Sequence, residues 1–275
     1  MLQYAKEIKR IETYDVVVCG GGCAGVVAAI AAARQGVTVA LIEKSQTVGG
    51  TATTSLVGPF MTSFDGKGEK QIVKGIFDEM VVRLEKLKGC IHPSKTGDGS
   101  PYGCYYKGEN RRHNNVTPFD SSALSLLMFE MLKENGVVIY TNTSLVDAIV
   151  YNGALNTAIC FDGSDFRAFQ AKNFLDTTGD GLLSLKAGVE MLKGRDADCK
   201  TQPMSLFFSV YGVDDDAIDK YIFEHEDERG MLFNAYIQKA MQAGNYPIPR
   251  DKIGLYKLLN EGEWMLNTTR MQNLD

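Results

Sequence analysis

Three glycines that follow a short apolar run have the spacing of a phosphate-binding turn. The run at residues 16–18 leads into Gly20, Gly22 and Gly25, and a helical stretch rich in small residues follows. Gly20 permits a tight turn, Gly22 lets the backbone approach a pyrophosphate, and Gly25 lets helix and strand pack closely. The free N–H groups and positive dipole end of the helix would face the phosphates. The stretch therefore predicts a dinucleotide-binding strand–turn–helix–strand unit.

An acidic residue stands where such a unit binds a ribose. Gly36 ends the helical stretch, and a second apolar run at residues 37–42 ends on Glu43. A carboxylate at that strand end, about 20 residues after the glycines, can accept hydrogen bonds from a ribose diol. A glycine fingerprint alone is a weak signal, but here the flanking strands, the helix and Glu43 agree in register. The alternative interpretation is an ordinary strand–helix–strand unit without a ligand.

The chain has six cysteines, none in a C-x-x-C pair or at zinc-finger spacing from a histidine. Cys19 lies at a strand end and Cys160 in an apolar run, where a small hydrophobic residue is expected. Cys23 lies in the glycine turn, where a helix N-terminus can lower the pKa of a thiol. We favour the alternative, that any small residue fits at this position.

Three histidines are the candidate acids or bases. His225 lies in an acidic helix and is expected to be solvated, while His92 precedes a proline and has no obvious partner. His113 follows Arg111 and Arg112 in an irregular segment that could bind an anionic substrate. The favoured alternative for His113 is a solvated basic loop tip.

Amphipathic helices and a long irregular segment follow the glycine-rich region. Apolar spacing of three and four predicts a helix over residues 69–88, and residues 89–118 show no period. Asp120 or Ser121 caps a second predicted helix. Its apolar face comprises Leu124, Leu127, Met128, Met131 and Leu132.

Short strands come next. Residues 137–140 predict a strand, and Asn152-Gly153 predicts a type I′ hairpin between the strands at residues 144–151 and 154–161. A third strand at residues 166–170 completes a predicted β-meander. The chain then returns as a strand at residues 173–176, which ends in the turn T-T-G-D-G. The remainder reads as a strand at 205–211 and acidic helices at 214–228 and 231–243.

The composition limits the class of partner. The chain has 275 residues, 44% hydrophobic and 23% charged, which predicts a folded protein with a sizeable core. A net charge of −5 argues against nucleic acid or an anionic membrane surface as the main partner. The charged first residues predict no secretory signal and hence a cytoplasmic location, and no apolar run is long enough to span a membrane.

The order of these elements differs from a simple nicotinamide dehydrogenase, in which further strand–helix pairs would follow the first unit. The motifs that matter are D-V-V-V-C-G-G-G-C-A-G, L-I-E-K, G-G-T-A-T-T-S-L-V, F-L-D-T-T-G-D-G and Q-P-M-S. Together they resemble the FAD-dependent oxidoreductase family, which has the glutathione-reductase-like FAD fold. Fumarate reductase and succinate dehydrogenase flavoproteins are more distant relatives. The resemblance is strongest in residues 14–58 and 119–210.

The resemblance implies an α/β protein with an FAD/NAD(P)-binding Rossmann-like fold, an inserted β-meander and a partial α+β substrate-covering domain. Residues 1–58 and 119–190 would form the FAD-binding domain. Residues 59–118 and 191–275 would form an incomplete substrate or cap region. Family members continue further, so a longer chain or a second polypeptide is expected to complete the flavin site. Catalytic residues cannot be transferred.

The resemblance also implies roles at the adenosine end of FAD. Gly20, Gly22 and Gly25 would hold the pyrophosphate, with Ala24 contributing its backbone and Cys23 lying in the same turn. Glu43 would bind the adenosine ribose with Lys44 beside it. Val146 would touch adenine through its backbone. All of these residues belong to the predicted ADP-binding half of the site.

A second group would approach the phosphates, the ribityl chain or the flavin. Asp180 resembles the acidic residue of the flavin-side motif, and the alternative is that it caps the helix predicted at residues 182–187. The group comprises Gly49, Gly50, Thr51, Thr178, Gly179 and Asp180.

Absent motifs narrow the reaction. Glu43 is not followed by C-x-x-x-x-C, and no iron–sulfur spacing is present, which disfavours a dithiol disulfide reductase or an iron–sulfur flavoprotein. No histidine lies in residues 50–54, so FAD is expected to be non-covalent. We expect hydride transfer between FAD and a small organic substrate. One alternative is a flavin-binding subunit or fragment that is inactive until a partner or a missing segment completes the site. A third is an NAD-binding protein.

Overall fold

The computed structural model describes residues 2, 5–97, 100, 102, 114–225, 233–250 and 253–272. The chain divides into two compact units, one formed by residues 1–54 and 125–191 and the other by residues 55–124 and 192–275. The assignment of the first to FAD and of the second to the substrate stays a prediction.

The first unit is built on one mixed sheet. Its strands are β1 (Arg10–Cys19), β2 (Val39–Ile42), β3 (Val138–Tyr140), β4 (Ser144–Tyr151), β5 (Ala154–Phe161) and β6 (Phe166–Asp176). Their order across the sheet is β3-β2-β1-β6-β5-β4. The pairs β1–β2, β2–β3 and β1–β6 are parallel, while β4–β5 and β5–β6 are antiparallel. The predicted α/β fold with an inserted meander is therefore confirmed.

One long strand replaces two predicted short ones. β6 runs without interruption from the meander into the strand expected at residues 173–176. Its first half pairs antiparallel with β5, and it pairs parallel with β1 from Arg10–Arg167 to Cys19–Asp176. The pairing with β5 ends at Gln170, and the pairing with β1 continues past it and holds the strand extended through residues 171–172, which the sequence pattern interprets as a break. The carboxyl ends of β1 and β6 consequently lie side by side.

The helices of the described residues are α1 (Cys23–Ala33), α2 (Ile76–Lys86), α3 (Ser121–Glu134), α4 (Leu182–Lys186), α5 (Asp215–Glu224) and α6 (Asn234–Gln242). In α3 the predicted apolar face is confirmed, because all five of its residues are at most 1% exposed. The side chain of Asp120 accepts a 2.7 Å hydrogen bond from the N–H of Ala123 and so caps the helix.

The prediction for α2 was wrong at its start, which lies at Ile76 rather than residue 69. Gly75 has a positive φ of 71° and precedes the first helical residue. The N–H groups of Ile72 and Val73 both donate to the carbonyl of Ser63, at 2.9 and 3.0 Å. These two side chains are exposed, so their apolar character imitates a helical period without belonging to the helix.

The turn predicted at Asn152-Gly153 has the positive φ angles of a type I′ hairpin, 51° and 77°. In the second unit, β7 (Phe207–Val210), β8 (Gly254–Lys257) and β9 (Trp264–Asn267) form an antiparallel sheet in the order β7-β9-β8. The sequence pattern predicts only the first of these. The predicted helix ends at residues 226–232 lie outside the described residues.

Cys19 and Cys160 are fully buried in the core of the first unit, as expected of small hydrophobic residues. Burial raises the pKa of the Cys160 thiol to about 12 and raises that of Cys19 further. Neither thiol is therefore a nucleophile at neutral pH.

Candidate dinucleotide-binding site

Backbone atoms leave no room for a side chain at Gly20 and Gly25, in the turn between β1 and α1. Gly20 has a φ of 108°, and a Cβ added there would lie 2.3 Å from the carbonyl oxygen of Thr177. A Cβ added to Gly25 would lie 1.8 Å from the carbonyl oxygen of Gly20. These contacts let α1 begin directly against the ends of β1 and β6, as the predicted roles of Gly20 and Gly25 require.

Gly22 is different, because nothing lies where its side chain would be. It precedes α1 with extended backbone angles, and its carbonyl accepts the first helical hydrogen bond, from Val26, at 3.0 Å. A Cβ added to Gly22 would meet no atom within 4 Å. The N–H groups of Cys23, Ala24 and Gly25 belong to the first turn, which lacks intrahelical acceptors and carries the positive dipole end. These residues fit a bound pyrophosphate.

The thiol of Cys23 does not have the character of a reactive cysteine. Its Sγ is half-buried and donates a 3.4 Å hydrogen bond to the carbonyl of Gly49. Burial raises the pKa of Cys23, and the hydrogen bonds from nearby backbone N–H groups only partly oppose this. The possibility that the helix N-terminus lowers this pKa is wrong. The favoured interpretation, a small residue in a tight turn, agrees with this environment.

A second glycine loop lies against the first. The N–H of Gly49 donates to the carbonyl of Gly21 at 2.7 Å, and Gly49 has a φ of 104°. A Cβ added to Gly50 would lie 3.0 Å from the Cα of Gly22. The structure therefore brings together the predicted residues Gly22, Gly49 and Gly50. Thr51 is exposed and is the middle residue of the 3₁₀ turn Gly50–Ala52.

Hydroxyl groups that the sequence analysis missed hold this second loop. The carbonyl of Val48 accepts hydrogen bonds from Thr53 Oγ1 at 2.7 Å and from Ser125 Oγ at 3.2 Å. The hydroxyls of Ser125 and Thr47 are hydrogen-bonded to each other. The threonine-rich run after Glu43 is a signal for such a loop, but nothing local in the sequence links it to Ser125 in α3.

The carboxylate of Glu43 is buried and already engaged. Its Oε2 accepts from the N–H of Gly21 and its Oε1 from the N–H of Ser45, both at 2.7 Å. Only 7% of the residue is exposed, whereas the neighbouring Lys44 is exposed. Each carboxylate oxygen has two lone pairs and can accept one further bond. Binding of a ribose by Glu43 stays a prediction.

Val146 is the extra residue of a β-bulge. The pairing of β4 with β5 passes from Leu145 opposite Cys160 to Asp147 opposite Ile159. A bulge leaves the extra residue's backbone outside the regular ladder. This environment is compatible with the predicted backbone contact to adenine, which stays a prediction.

The turn after β6 packs on the turn after β1. The hydroxyl of Thr177, which the sequence analysis did not single out, donates to the carbonyl oxygens of Cys19 and Gly20, at 2.9 and 2.7 Å. Gly179 has a φ of 88°, and a Cβ added there would meet nothing within 4 Å. The structure therefore places the T-T-G-D-G turn beside Gly20.

Asp180 does not cap α4, and that alternative was wrong. The residue preceding the helix is Gly181, with a φ of 66°, and the N–H of Leu182 donates to the hydroxyl of Thr178 at 2.9 Å. Asp180 is exposed. Its role in a flavin-side motif stays a prediction.

The histidines lie elsewhere. His225 is half-buried rather than solvated: its ring stacks on Tyr221 with centroids 4.0 Å apart, and its Nδ1 lies 2.8 Å from the Tyr221 carbonyl oxygen. His92 has a partner that the sequence did not predict, because its Nδ1 lies 2.8 Å from the Ser94 hydroxyl. Arg111, Arg112 and His113 lie outside the described residues.

Among the residues that the structure describes, no group of three or more His, Cys, Asp or Glu side chains has an arrangement that could hold a metal ion. No described helix has both the length and the apolar character needed to cross a membrane.

A family model described as FAD dependent oxidoreductase matches residues 15–275. No curated protein matches the chain. Among solved structures, the geranylgeranyl bacteriochlorophyll reductase-like protein of Thermoplasma acidophilum is 16% identical, with a TM-score of 0.55 over 94% of this chain and 57% of that one. The glycerol-3-phosphate dehydrogenase of Bacillus halodurans, complexed with FAD, is 14% identical, with a TM-score of 0.52 over 96% and 48%.

The flavin-dependent brominase Bmp2 is 14% identical, with a TM-score of 0.51 over 93% of this chain and 55% of that one. At these identities the likeness establishes a shared fold. The chain spans about half the length of these solved relatives.

Proposed function

This chain belongs to the FAD dependent oxidoreductase family, and we propose that it transfers a hydride between a small organic substrate and non-covalently bound FAD. When bound, the flavin supplies the hydride chemistry, and the protein supplies binding and orientation. The absence of histidine from residues 50–54 supports a non-covalent cofactor.

One observation carries the proposal: the space where a side chain of Gly22 would lie is open, beside the first turn of α1. At this N-cap position glycine is favoured over alanine by less than about 1 kcal/mol, and the chain's own atoms leave room for a side chain, since none lies within 4 Å of an added Cβ. Glycine is required there if a ligand approaches the backbone. The close contact of Gly50 with Gly22 places a second backbone segment beside the same space.

The chain's own residues would act on FAD by position and hydrogen bonding. The N–H groups of Cys23, Ala24 and Gly25 would donate to the pyrophosphate, and the helix dipole would favour its negative charge. Residues 59–118 and 191–275, the predicted cap region, would contact the substrate and exclude water.

The direct test is the absorption spectrum and mass of the cofactor released from the purified chain. Flavin absorption bands and the mass of FAD are expected, and a colourless protein that retains NAD would contradict the proposal. Gly22→Val should abolish FAD retention. The matched control is Gly66→Val, because Gly66 also has no neighbour within 4 Å of an added Cβ and no positive φ. It should retain FAD.

A second candidate is a flavin-binding subunit or fragment that becomes active only when a partner or further segment completes the flavin site. The observation that favours it is the share of the solved relatives that the chain spans, 57% and 48%. Bleaching of the bound flavin by candidate reductants separates the two candidates. A chain that retains FAD but turns over no donor or acceptor would support the second.

A further inference from the structure

The last residue of β6, Asp176, accepts hydrogen bonds from four donors. Its Oδ1 accepts from the N–H of Thr178 at 3.1 Å and from its hydroxyl at 2.8 Å. Its Oδ2 accepts from the N–H and the hydroxyl of Ser184, both at 2.8 Å. One half-buried carboxylate therefore joins the T-T-G-D-G turn to α4.

Only an ionised carboxylate satisfies this arrangement. It provides acceptor sites on both oxygens and no donor, whereas a protonated acid or an amide would present a hydrogen to another donor. Burial raises the pKa of Asp176, but the hydrogen bonds from Ser184 and Thr178 outweigh it and lower the pKa below its ordinary value. The group is therefore charged at neutral pH.

The turn that Asp176 holds lies at the edge where the cofactor site is built. Asp176 pairs with Cys19 in the parallel register of β1 and β6. The next residue, Thr177, donates its hydroxyl to the carbonyl of Gly20, and its own carbonyl excludes any side chain at Gly20. A change in the path of the turn therefore acts directly on the phosphate-binding glycines.

From these contacts we infer that Asp176 is a positioning residue for FAD: its carboxylate fixes the path of residues 177–181 against the glycine turn without touching the cofactor. The inference rests on the proposed function, since it assumes that FAD occupies this edge. It assigns a role to the first aspartate of D-T-T-G-D-G that is distinct from the predicted contact of Asp180.

Asp176→Asn is the test, and Asp162→Asn is its matched control. Asp162 organises the turn between β5 and β6, at the opposite end of β6. Its Oδ1 accepts from the N–H and hydroxyl of Ser164 and from the N–H of Asp165, at 3.0, 2.7 and 2.9 Å. Both substitutions remove a carboxylate that holds a turn in the same unit, and only one turn lies at the predicted FAD site.

The readouts are the Kd for FAD, the visible spectrum of the bound flavin and the Tm of the apoprotein. Asp176→Asn should raise the Kd about tenfold or more and alter the flavin spectrum, since an amide leaves the N–H of Ser184 or of Thr178 without an acceptor. Asp162→Asn should lower the Tm but keep the Kd within about twofold, because its lost hydrogen bonds are remote from the site.

If Asp176→Asn does not fold, Ser184→Ala replaces it. That variant removes one of the four donors and should raise the Kd about threefold, because the carboxylate keeps its other partners but loses part of its restraint. An unchanged Kd in a folded Asp176→Asn variant, or in Ser184→Ala where that variant is used, would overturn this inference alone. A wild-type chain that binds no FAD would overturn the proposed function and this inference together.

Discussion

The Oε2 atom of Glu43 accepts a 2.7 Å hydrogen bond from the backbone N–H of Gly21, in the middle of the glycine turn. The same carboxylate accepts from the N–H of Ser45 through its other oxygen. Glu43 thus has a structural role in the turn whether or not it also binds a ribose.

Glu43→Gln is expected to destabilise the apoprotein and weaken FAD binding. The amide nitrogen of glutamine cannot accept from Gly21 or Ser45, and an unsatisfied buried N–H costs about 1–3 kcal/mol. Chemical denaturation measures the loss. Glu130→Gln, on the exposed face of α3, is the control and should leave the free energy of unfolding unchanged.

Ribose binding by Glu43 can be measured separately from its effect on the turn. If the carboxylate also contacts the diol, the wild type should bind ADP more tightly than 2′-deoxy-ADP, and Glu43→Gln should reduce that preference. Equal discrimination in both proteins would restrict Glu43 to its structural role.

Gly25→Ala should mainly reduce the stability of the fold, whereas Gly22→Ala should mainly weaken FAD binding. At Gly25 a Cβ would lie 1.8 Å from the Gly20 carbonyl oxygen, so Gly25→Ala should cost about 3 kcal/mol or more, the upper range for overpacking. At Gly22 the position is open, and Gly22→Ala should cost less than about 1 kcal/mol, the effect of a poorer helix cap.

The FAD titration completes that comparison. Gly22→Ala should fold with nearly the wild-type Tm yet bind FAD at least about tenfold more weakly, because its methyl group occupies the space at the helix N-terminus. Wild-type FAD affinity in this variant would contradict the placement of the pyrophosphate.

The elements that the sequence predicted well are those with a local signal. Glycine spacing identifies the turn at Gly20, a three–four apolar repeat identifies α3, and Asn152-Gly153 identifies the hairpin. Each depends on residues that are close in the chain, so a short window contains the full pattern. The second glycine loop, with Gly49 and Gly50, was predicted from the resemblance to the FAD-dependent oxidoreductase family rather than from a local pattern.

The contacts that the sequence did not reveal join distant segments. The hydroxyl of Thr177 and the carbonyl of Gly20 are 157 positions apart, and Ser125 and Val48 are 77 apart. Threonine and serine occur widely in loops, and nothing near them in the chain specifies a partner in another element. For the same reason the sequence predicts a ligand for the carboxylate of Glu43 but does not predict its hydrogen bonds from the N–H groups of Gly21 and Ser45.

The strands β8 and β9 were missed for a different reason. Each has four residues and ends in a polar one, which leaves an apolar run of at most three residues, whereas the equally short β7 lies inside the longer predicted strand at residues 205–211. Antiparallel pairing identifies them in the structure, from Gly254 opposite Asn267 to Lys257 opposite Trp264.

Cys23 should be slow to react with thiol reagents at neutral pH. Its Sγ is half-buried, hydrogen-bonded to the Gly49 carbonyl, and burial raises its pKa, so little thiolate is present. Peptide mapping after iodoacetamide treatment should show the exposed Cys199 modified well before Cys23. Faster alkylation of Cys23 would contradict this environment.

Asp215 should stabilise the second unit in a pH-dependent way. Its Oδ1 accepts from Trp264 Nε1 at 2.7 Å and its Oδ2 from Lys257 Nζ at 2.6 Å. The hydrogen bond from Lys257 is the main cause that lowers the pKa of Asp215, with Trp264 and the N–H of Gly262 adding to it. Asp215→Asn should cost about 1.5–3 kcal/mol at pH 7, the range for hydrogen bonds to a charged group.

The sign of the pH effect follows from the lowered pKa. The ionised form is favoured in the folded state, so this stabilisation is full above the unfolded pKa of about 4 and is lost as the pH falls through the lower folded value. The difference in unfolding free energy between wild type and Asp215→Asn should therefore shrink in acid. Trp264 is the chain's single tryptophan, and its fluorescence reports the transition.

Asp216→Asn is the matched control for Asp215→Asn. Asp216 also lies in the first turn of α5, where an acidic side chain favours the helix dipole, but it is exposed. Its substitution should cost less than about 1 kcal/mol, the range for an exposed charge near a helix end. Equal losses in the two variants would assign the effect of Asp215 to the helix dipole rather than to Lys257 and Trp264.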